Sequence, residues 1–347
     1  MVRVAFVGCG AMGSLYAQTF RKLGHEVYLS VDPRSEKQLG CHHYLRIHEI
    51  PDHRWREIDL LVLSAPTDQH LTELRRIAQR SFSGLVLLEK PYVLPHQIAE
   101  LREFLQDEGR SLRLFFSDPY NQIPIIENLS SLWNLANLKR IDVEFSKNRL
   151  ADEAAGRFVD HDFGVLGYEY FHMLSIVGQV LRTPWRAEIK SLSIAAHRAD
   201  VLLRDPARSL DIRLSSAMDG EIFQRDLHRA DVFPSADLRS PSIAVGSAFR
   251  YRKASFYFTG DESIHLVFER HFGNAELDYK NIHSILVCQG ERITDVIDFH
   301  FHMLERQVQN AILALRPSAP NAGAREAKLR TALDSHRMIH SFREGHL

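Results

Sequence analysis

The sequence predicts an α/β fold: a doubly wound parallel sheet over the first third of the chain, then an α+β domain with a largely antiparallel open sheet. Three observations carry this expectation. Apolar runs of strand length alternate with helix-spaced segments up to about residue 120. Beyond that point strand-like segments follow one another with few helices between them. The 347 residues suit two domains better than a single core.

The elements follow in order. Residues 2–7 form an apolar run of buried-strand length, and 11–23 read as a helix that ends at Gly24. Residues 26–31 are a second strand, and 60–65, within DLLVLSAP, are a third that is apolar on both faces. Residues 68–80 carry Leu71, Leu74 and Ile77 at helical spacing. A strand at 85–88, a helix at 95–108 and a strand at 112–116 complete the first domain. In the second, strand-like segments fall at 138–146, 189–197, 210–215, 249–258, 263–270 and 284–287. Helical stretches fall at 125–134, 165–177, 296–315 and 325–342, with the Pro/Ala/Gly stretch 316–324 separating the last two. The expected domains are 1–120 and 121–347, with the C-terminal helix packing back on the first domain.

Composition excludes several classes of function. Lys and Arg number 43 against 44 Asp and Glu, a net charge of −1, and no basic stripe calls for nucleic acid or an anionic membrane. No apolar run reaches the roughly 18 residues needed to cross a bilayer, and Met1 leads directly into a strand without the pattern of a signal peptide. Cys9, Cys41 and Cys288 stand in no metal or redox spacing, so a cytoplasmic protein is expected. His42-His43 and His300-Phe301-His302 are the closest pairs among the 19 histidines, with no third ligand at a useful spacing, so no metal is expected. There is no GxSxG and no GxxxxGK[ST].

Gly8-Cys9-Gly10-Ala11-Met12-Gly13 is a GxGxxG between the first strand and the first helix. Its first glycine permits the tight turn, its second lets backbone approach a pyrophosphate, and its third lets helix and strand pack closely. The helix N-terminus adds N–H donors and positive dipole. Asp32 lies 19 residues past Gly13, at the end of the second strand. A carboxylate there hydrogen-bonds the adenosine ribose and repels a 2′-phosphate, which favours NAD. Arg34 offers a partner for that phosphate, so NADP stays open. The expectation is a Rossmann dinucleotide-binding domain.

Three further segments make the chain resemble the glucose–fructose oxidoreductase, inositol dehydrogenase and rhizopine-catabolism (Gfo/Idh/MocA) family of oxidoreductases. Ser64-Ala65-Pro66-Thr67-Asp68-Gln69-His70 is similar to that family's strand-end TPxxxH turn. Glu89-Lys90-Pro91 is similar to its EKP signature, and Asp334-Ser335-His336-Arg337-Met338-Ile339-His340-Ser341 to its closing helix. The resemblance implies a nicotinamide-dependent dehydrogenase or reductase acting on a CH–OH group of a sugar, cyclitol or sugar-like molecule. It implies Lys90 as a catalytic residue, and Gly8, Gly10, Ala11, Met12, Gly13, Asp32, Arg34, Ala65, Pro66, Thr67, His70, Glu89 and Lys90 around the cofactor. It implies a homo-oligomer assembled through the open face of the second sheet. Physically, an ammonium fixed beside a nicotinamide can stabilise charge developing on a substrate oxygen.

The sequence departs from that family at one point. Its dehydrogenases carry an Asp and, four residues later, a His on one helix of the second domain. Aligning Asp162 places Leu166 at the His position, and counting back from Gly178 places Gly164 and Tyr168 at the two positions. Tyr168 and His172 remain as proton-handling candidates, spaced for one helix face. Asn121, Lys147 and Asp162 are candidate substrate contacts, with Lys147 and Arg149 suited to an anionic group. Two other readings stand beside the dehydrogenase: a dinucleotide-binding sensor that transfers no hydride, and an NAD-dependent glycosidase.

Overall fold

A computed structural model of the chain describes residues 1–34, 36–123, 126, 133–147, 149–154, 156, 164–181, 187–218, 250–269, 281–300, 302–316, 338–339 and 341–342. The chain divides into two compact units. One comprises Met1–Gln122 with Met303–His340, the other Ile123–His302 with Ser341–Leu347. No described helix is long and apolar enough to cross a membrane.

The first unit is a six-stranded sheet of β1 (Arg3–Val7), β2 (Glu26–Val31), β3 (His42–Tyr44), β4 (Leu60–Leu63), β5 (Leu85–Leu88) and β6 (Arg113–Phe116). The strand order is β3-β2-β1-β4-β5-β6, and every pairing is parallel. LLVL in β4 and LVLL in β5 are buried at every position, as a sheet covered on both faces requires. Helix α1 (Ala11–Lys22) buries Gly13, Tyr16, Ala17 and Phe20, an i, i+3, i+4, i+7 stripe, and its chain exits through Gly24 at φ +79°. Three further helices follow: α2 (Asp52–Trp55), α3 (His70–Gln79) and α4 (Ile98–Gln106). The short β3 and α2 are elements the sequence pattern did not announce.

The second unit is an eight-stranded sheet: β7 (Leu138–Lys147), β8 (Glu188–Ile194), β9 (Arg198–Asp205), β10 (Leu210–Ala217), β11 (Arg250–Phe258), β12 (Glu262–Phe268), β13 (Ile282–Gln289) and β14 (Arg292–His300). Its order is β14-β13-β12-β11-β7-β10-β9-β8, antiparallel throughout except between β7 and β10. Ala199, Val201 and Leu203 alternate with more exposed residues along β9, presenting one apolar face. Helix α5 (Arg149–Ala154) follows β7, and α6 (Val165–Leu181) packs on β7, β9 and β10. The Tyr170 phenol of α6 donates to the Ala199 carbonyl at 2.8 Å.

One boundary differs from the sequence expectation. Residues 296–315 do not form a single helix: β14 runs through His300, and helix α7 begins at Met303 and ends at Ala314. Eight pairings with β13 hold 292–300 in the sheet. α7 groups with the first unit, where Val308 and Ala311 join the core beside Tyr16, Ala17 and Phe20. The expected helix 125–134 and most of 325–342 lie outside the described residues, although 338–339 and 341–342 are helical.

Candidate dinucleotide site

The chain leaves β1 for β2 on one side and returns to β4 on the other. The carboxyl ends of β1 and β4 therefore flank the switch point at which open parallel sheets bind ligands. The glycine turn sits there, and each glycine has its own reason. Gly8 has φ +90°, and a Cβ on it would stand 2.4 Å from the Ala65 nitrogen. A Cβ on Gly13 would stand 2.2 Å from the Gly8 carbonyl oxygen. A Cβ on Gly10 would meet no protein atom within 4 Å. The protein's own packing therefore does not demand glycine at residue 10, and the backbone there is left open to close approach by a ligand. Ala11, Met12 and Gly13 form the first turn of α1, which holds no acidic side chain. Its N–H groups and dipole suit a pyrophosphate, so the residues present fit a dinucleotide.

Asp32 follows β2 and is 2% exposed. Its Oδ2 accepts from the Cys9 N–H at 2.9 Å and from Arg34 Nη2 at 3.2 Å. Its Oδ1 accepts from the Arg34 N–H and Nε, both at 3.0 Å. Burial raises the Asp32 pKa, but these donors from Arg34 and Cys9 outweigh it and hold the carboxyl below its ordinary value. Arg34 is the exposed member of the pair, its side chain 54% exposed.

Beyond β4, the Ala65–Pro66 turn leads into a 3-10 turn, Thr67–Gln69, at the same edge of the sheet. His70 was expected to face the cofactor. It is buried instead, with Nδ1 at 3.1 Å from the Tyr92 carbonyl and Nε2 at 2.8 Å from that of Ala65. The ring braces the turn after β4 to the turn after β5. Burial pushes its pKa down, partly offset by those carbonyls. Glu89 is likewise turned inward. Its Oε2 accepts from Tyr16 at 2.8 Å and Ser117 at 2.6 Å, while Gln307 of α7 donates to both hydroxyls. Burial raises the Glu89 pKa, countered by Ser117, the charge of Lys90 and Tyr16. Glu89 thus anchors the strand end, and Lys90, only partly buried, follows it at the carboxyl edge of β5.

In the second unit, Lys147 was expected to meet an anionic substrate group. It is 2% exposed, and its ammonium bonds Asp152. Arg149 bonds Asp152 at 3.2 Å and Glu169 at 2.8 Å, and Arg252 reaches Glu169 at 2.8 Å and Glu269 at 3.7 Å. Among the described residues three cations meet three carboxylates, so Lys147 is held in a buried ion cluster rather than presented to an open anion pocket. Asp152, Glu169, Arg252 and Glu269 were missed in the sequence, because they come from α5, α6, β11 and the turn after β12 and form no local motif. His172 lies on α6 and is buried. Tyr168 is on the same helix, and Asn121 on the short Pro119–Gln122 turn, their side chains outside the described set. Asp162 lies outside the described residues altogether.

Comparison with known proteins agrees with this geometry. Among solved structures, a 3-ketoreductase from Actinomadura kijaniata in complex with NADP and TDP-benzene superposes with a TM-score of 0.67 at 12% identity, covering 99% of this chain and 97% of that one. A UDP-N-acetylglucosamine 3-dehydrogenase from Acidithiobacillus ferrooxidans gives 0.60 at 15% identity, covering 98% of each chain. The WlbA dehydrogenase from Thermus thermophilus, in complex with NAD and UDP-GlcNAcA, gives 0.59 at 16% identity, covering 98% and 95%. At such identities these likenesses establish the fold. No curated protein matches the sequence at a significant level. Residues 2–116 match the family model described as an oxidoreductase family with an NAD-binding Rossmann fold. Over that domain, about a third of the chain, the sequence is similar to the Gfo/Idh/MocA oxidoreductases.

Proposed function

We propose that the protein is an NAD(P)-dependent oxidoreductase acting on a hydroxyl-bearing or keto carbon of a sugar, cyclitol or sugar-like substrate. The observation that carries this reading is the placement of Lys90 two residues after β5, at the carboxyl edge of the sheet that also holds the glycine turn. When bound, the nicotinamide supplies the hydride donor or acceptor. Gly8, Gly10 and Gly13 with the start of α1 hold its pyrophosphate, and Ala65, Pro66 and Thr67 line the turn beside it. Lys90 donates a hydrogen bond to the substrate oxygen and stabilises negative charge there as the oxygen loses its proton. Tyr168 or His172, one helical turn apart on α6, takes up or returns that proton.

The sugar class draws support from the structural relatives, two of which are solved with a nucleoside-diphosphate compound in place. Assembly into a homo-oligomer belongs to the same reading, and β14 leaves Val296 and Ile297 exposed at the end of the second sheet. The test follows absorbance at 340 nm while purified protein and NAD(P)(H) meet a panel of sugars and nucleotide sugars. The expected result is net cofactor turnover that Lys90→Ala abolishes, by about 10²-fold or more in kcat, with dinucleotide affinity retained. Unchanged turnover in that variant would remove Lys90 from the chemistry. Sugar release without net turnover would indicate a glycosidase, and binding with neither would indicate a sensor.

A further inference from the structure

We propose that Arg34 makes this site select NADP over NAD, by occupying the Asp32 carboxylate and presenting its own guanidinium in its place. The inference rests on the dinucleotide reading above and concerns only which of the two dinucleotides the site takes.

A carboxylate at the end of the second strand favours NAD for two reasons: it accepts from ribose hydroxyls, and its charge repels a 2′-phosphate. Neither condition holds in this protein. An ionised carboxylate offers about four lone-pair sites. In Asp32 they receive Cys9 N–H at 2.9 Å, Arg34 N–H at 3.0 Å, Arg34 Nε at 3.0 Å and Arg34 Nη2 at 3.2 Å. A ribose hydroxyl finds no acceptor there unless the guanidinium swings away and gives up a charge-assisted pair. The Asp32 charge is also compensated at contact distance.

Exposure points the same way. The Asp32 side chain is 2% exposed and the Arg34 side chain 54%, so of this pair the guanidinium is what shows to solvent, with exposed Glu36 near enough to act on its charge. A guanidinium has five N–H donors. Those that Asp32 does not engage remain for an incoming anion, and a phosphate matches their planar fork. NADP therefore binds without disturbing the Asp32–Arg34 pair, while NAD must break it to use Asp32.

The test is a fluorescence titration of the purified full chain with NADPH and NADH, in the wild type, Arg34→Ala and Arg34→Lys. Far-ultraviolet circular dichroism of each variant checks the fold. The wild type should bind NADPH about ten- to a hundred-fold more tightly than NADH, the worth of a charge-assisted contact. Arg34→Ala should lose that preference, with NADPH weakened and NADH unchanged or tighter. Arg34→Lys should fall between, because it keeps the charge and loses the fork. NADH binding as tightly as NADPH in the wild type, an unchanged preference in Arg34→Ala, or equal weakening of both dinucleotides would each overturn the proposal. Failure of the wild type to bind either one would overturn the dinucleotide reading itself.

Discussion

Gly10 and Gly13 belong to one turn and are glycine for different reasons, which the motif alone does not separate. Gly13 is demanded by the protein, because its added Cβ would press on the Gly8 carbonyl at 2.2 Å. Gly13→Ala should destabilise the fold by about 1–3 kcal/mol, the usual cost of overpacking. Gly10 faces open space. Gly10→Ala should leave Tm within about 2 °C of the wild type and abolish saturable dinucleotide binding. Thermal unfolding and a fluorescence titration on the two variants check both halves. If Gly10→Ala binds normally, the pyrophosphate does not approach that backbone. Cys9, between two of these glycines, contributes its backbone N–H to Asp32, while burial and the neighbouring Asp32 push its thiol up to about 12.

Between elements, the lesson lies in Glu89. The sequence places it in an EKP signature near the cofactor, and the structure turns it inward as the junction of four elements. Tyr16 comes from α1, Ser117 follows β6, Gln307 comes from α7, and Glu89 follows β5. Gln307 donates both amide hydrogens, one to each hydroxyl, and each hydroxyl donates to the same carboxylate oxygen. Tyr16→Phe removes one donor from Glu89 and one acceptor from Gln307 within a fully buried set. Chemical unfolding should show a loss of about 1–3 kcal/mol, the cost of stranding buried polar groups. An unchanged midpoint would mean that the network is dispensable. No sequence signal pairs residue 16 with residue 307.

Element reading succeeded where burial is two-sided or strictly periodic. β1, β4, β5 and α1 were legible because LLVL runs and an i, i+3, i+4, i+7 stripe each answer to one geometry. β3 was missed because three residues of HHY on a sheet edge carry no period. β14 was read as the start of a helix because most of its residues are exposed, leaving no alternation of burial to betray a strand. Its place is set by the register with β13, a non-local fact.

At the scale of the whole molecule, the first unit was readable and the second only in outline. The parallel sheet announces itself through local runs, and its switch point falls where the glycine turn predicts a ligand. The second unit's ion cluster joins residues 147, 149, 152, 169, 252 and 269, separated by up to a hundred residues and more of chain, so it is visible only in three dimensions. The central claim is that the glycine turn of β1 grips a nicotinamide dinucleotide. Isothermal titration of the intact chain with NADPH and with NADH tests it most directly. The account predicts one saturable site per chain, lost in Gly10→Ala and kept in Lys90→Ala. Absence of saturable binding for both dinucleotides, or binding that survives Gly10→Ala unchanged, would contradict it.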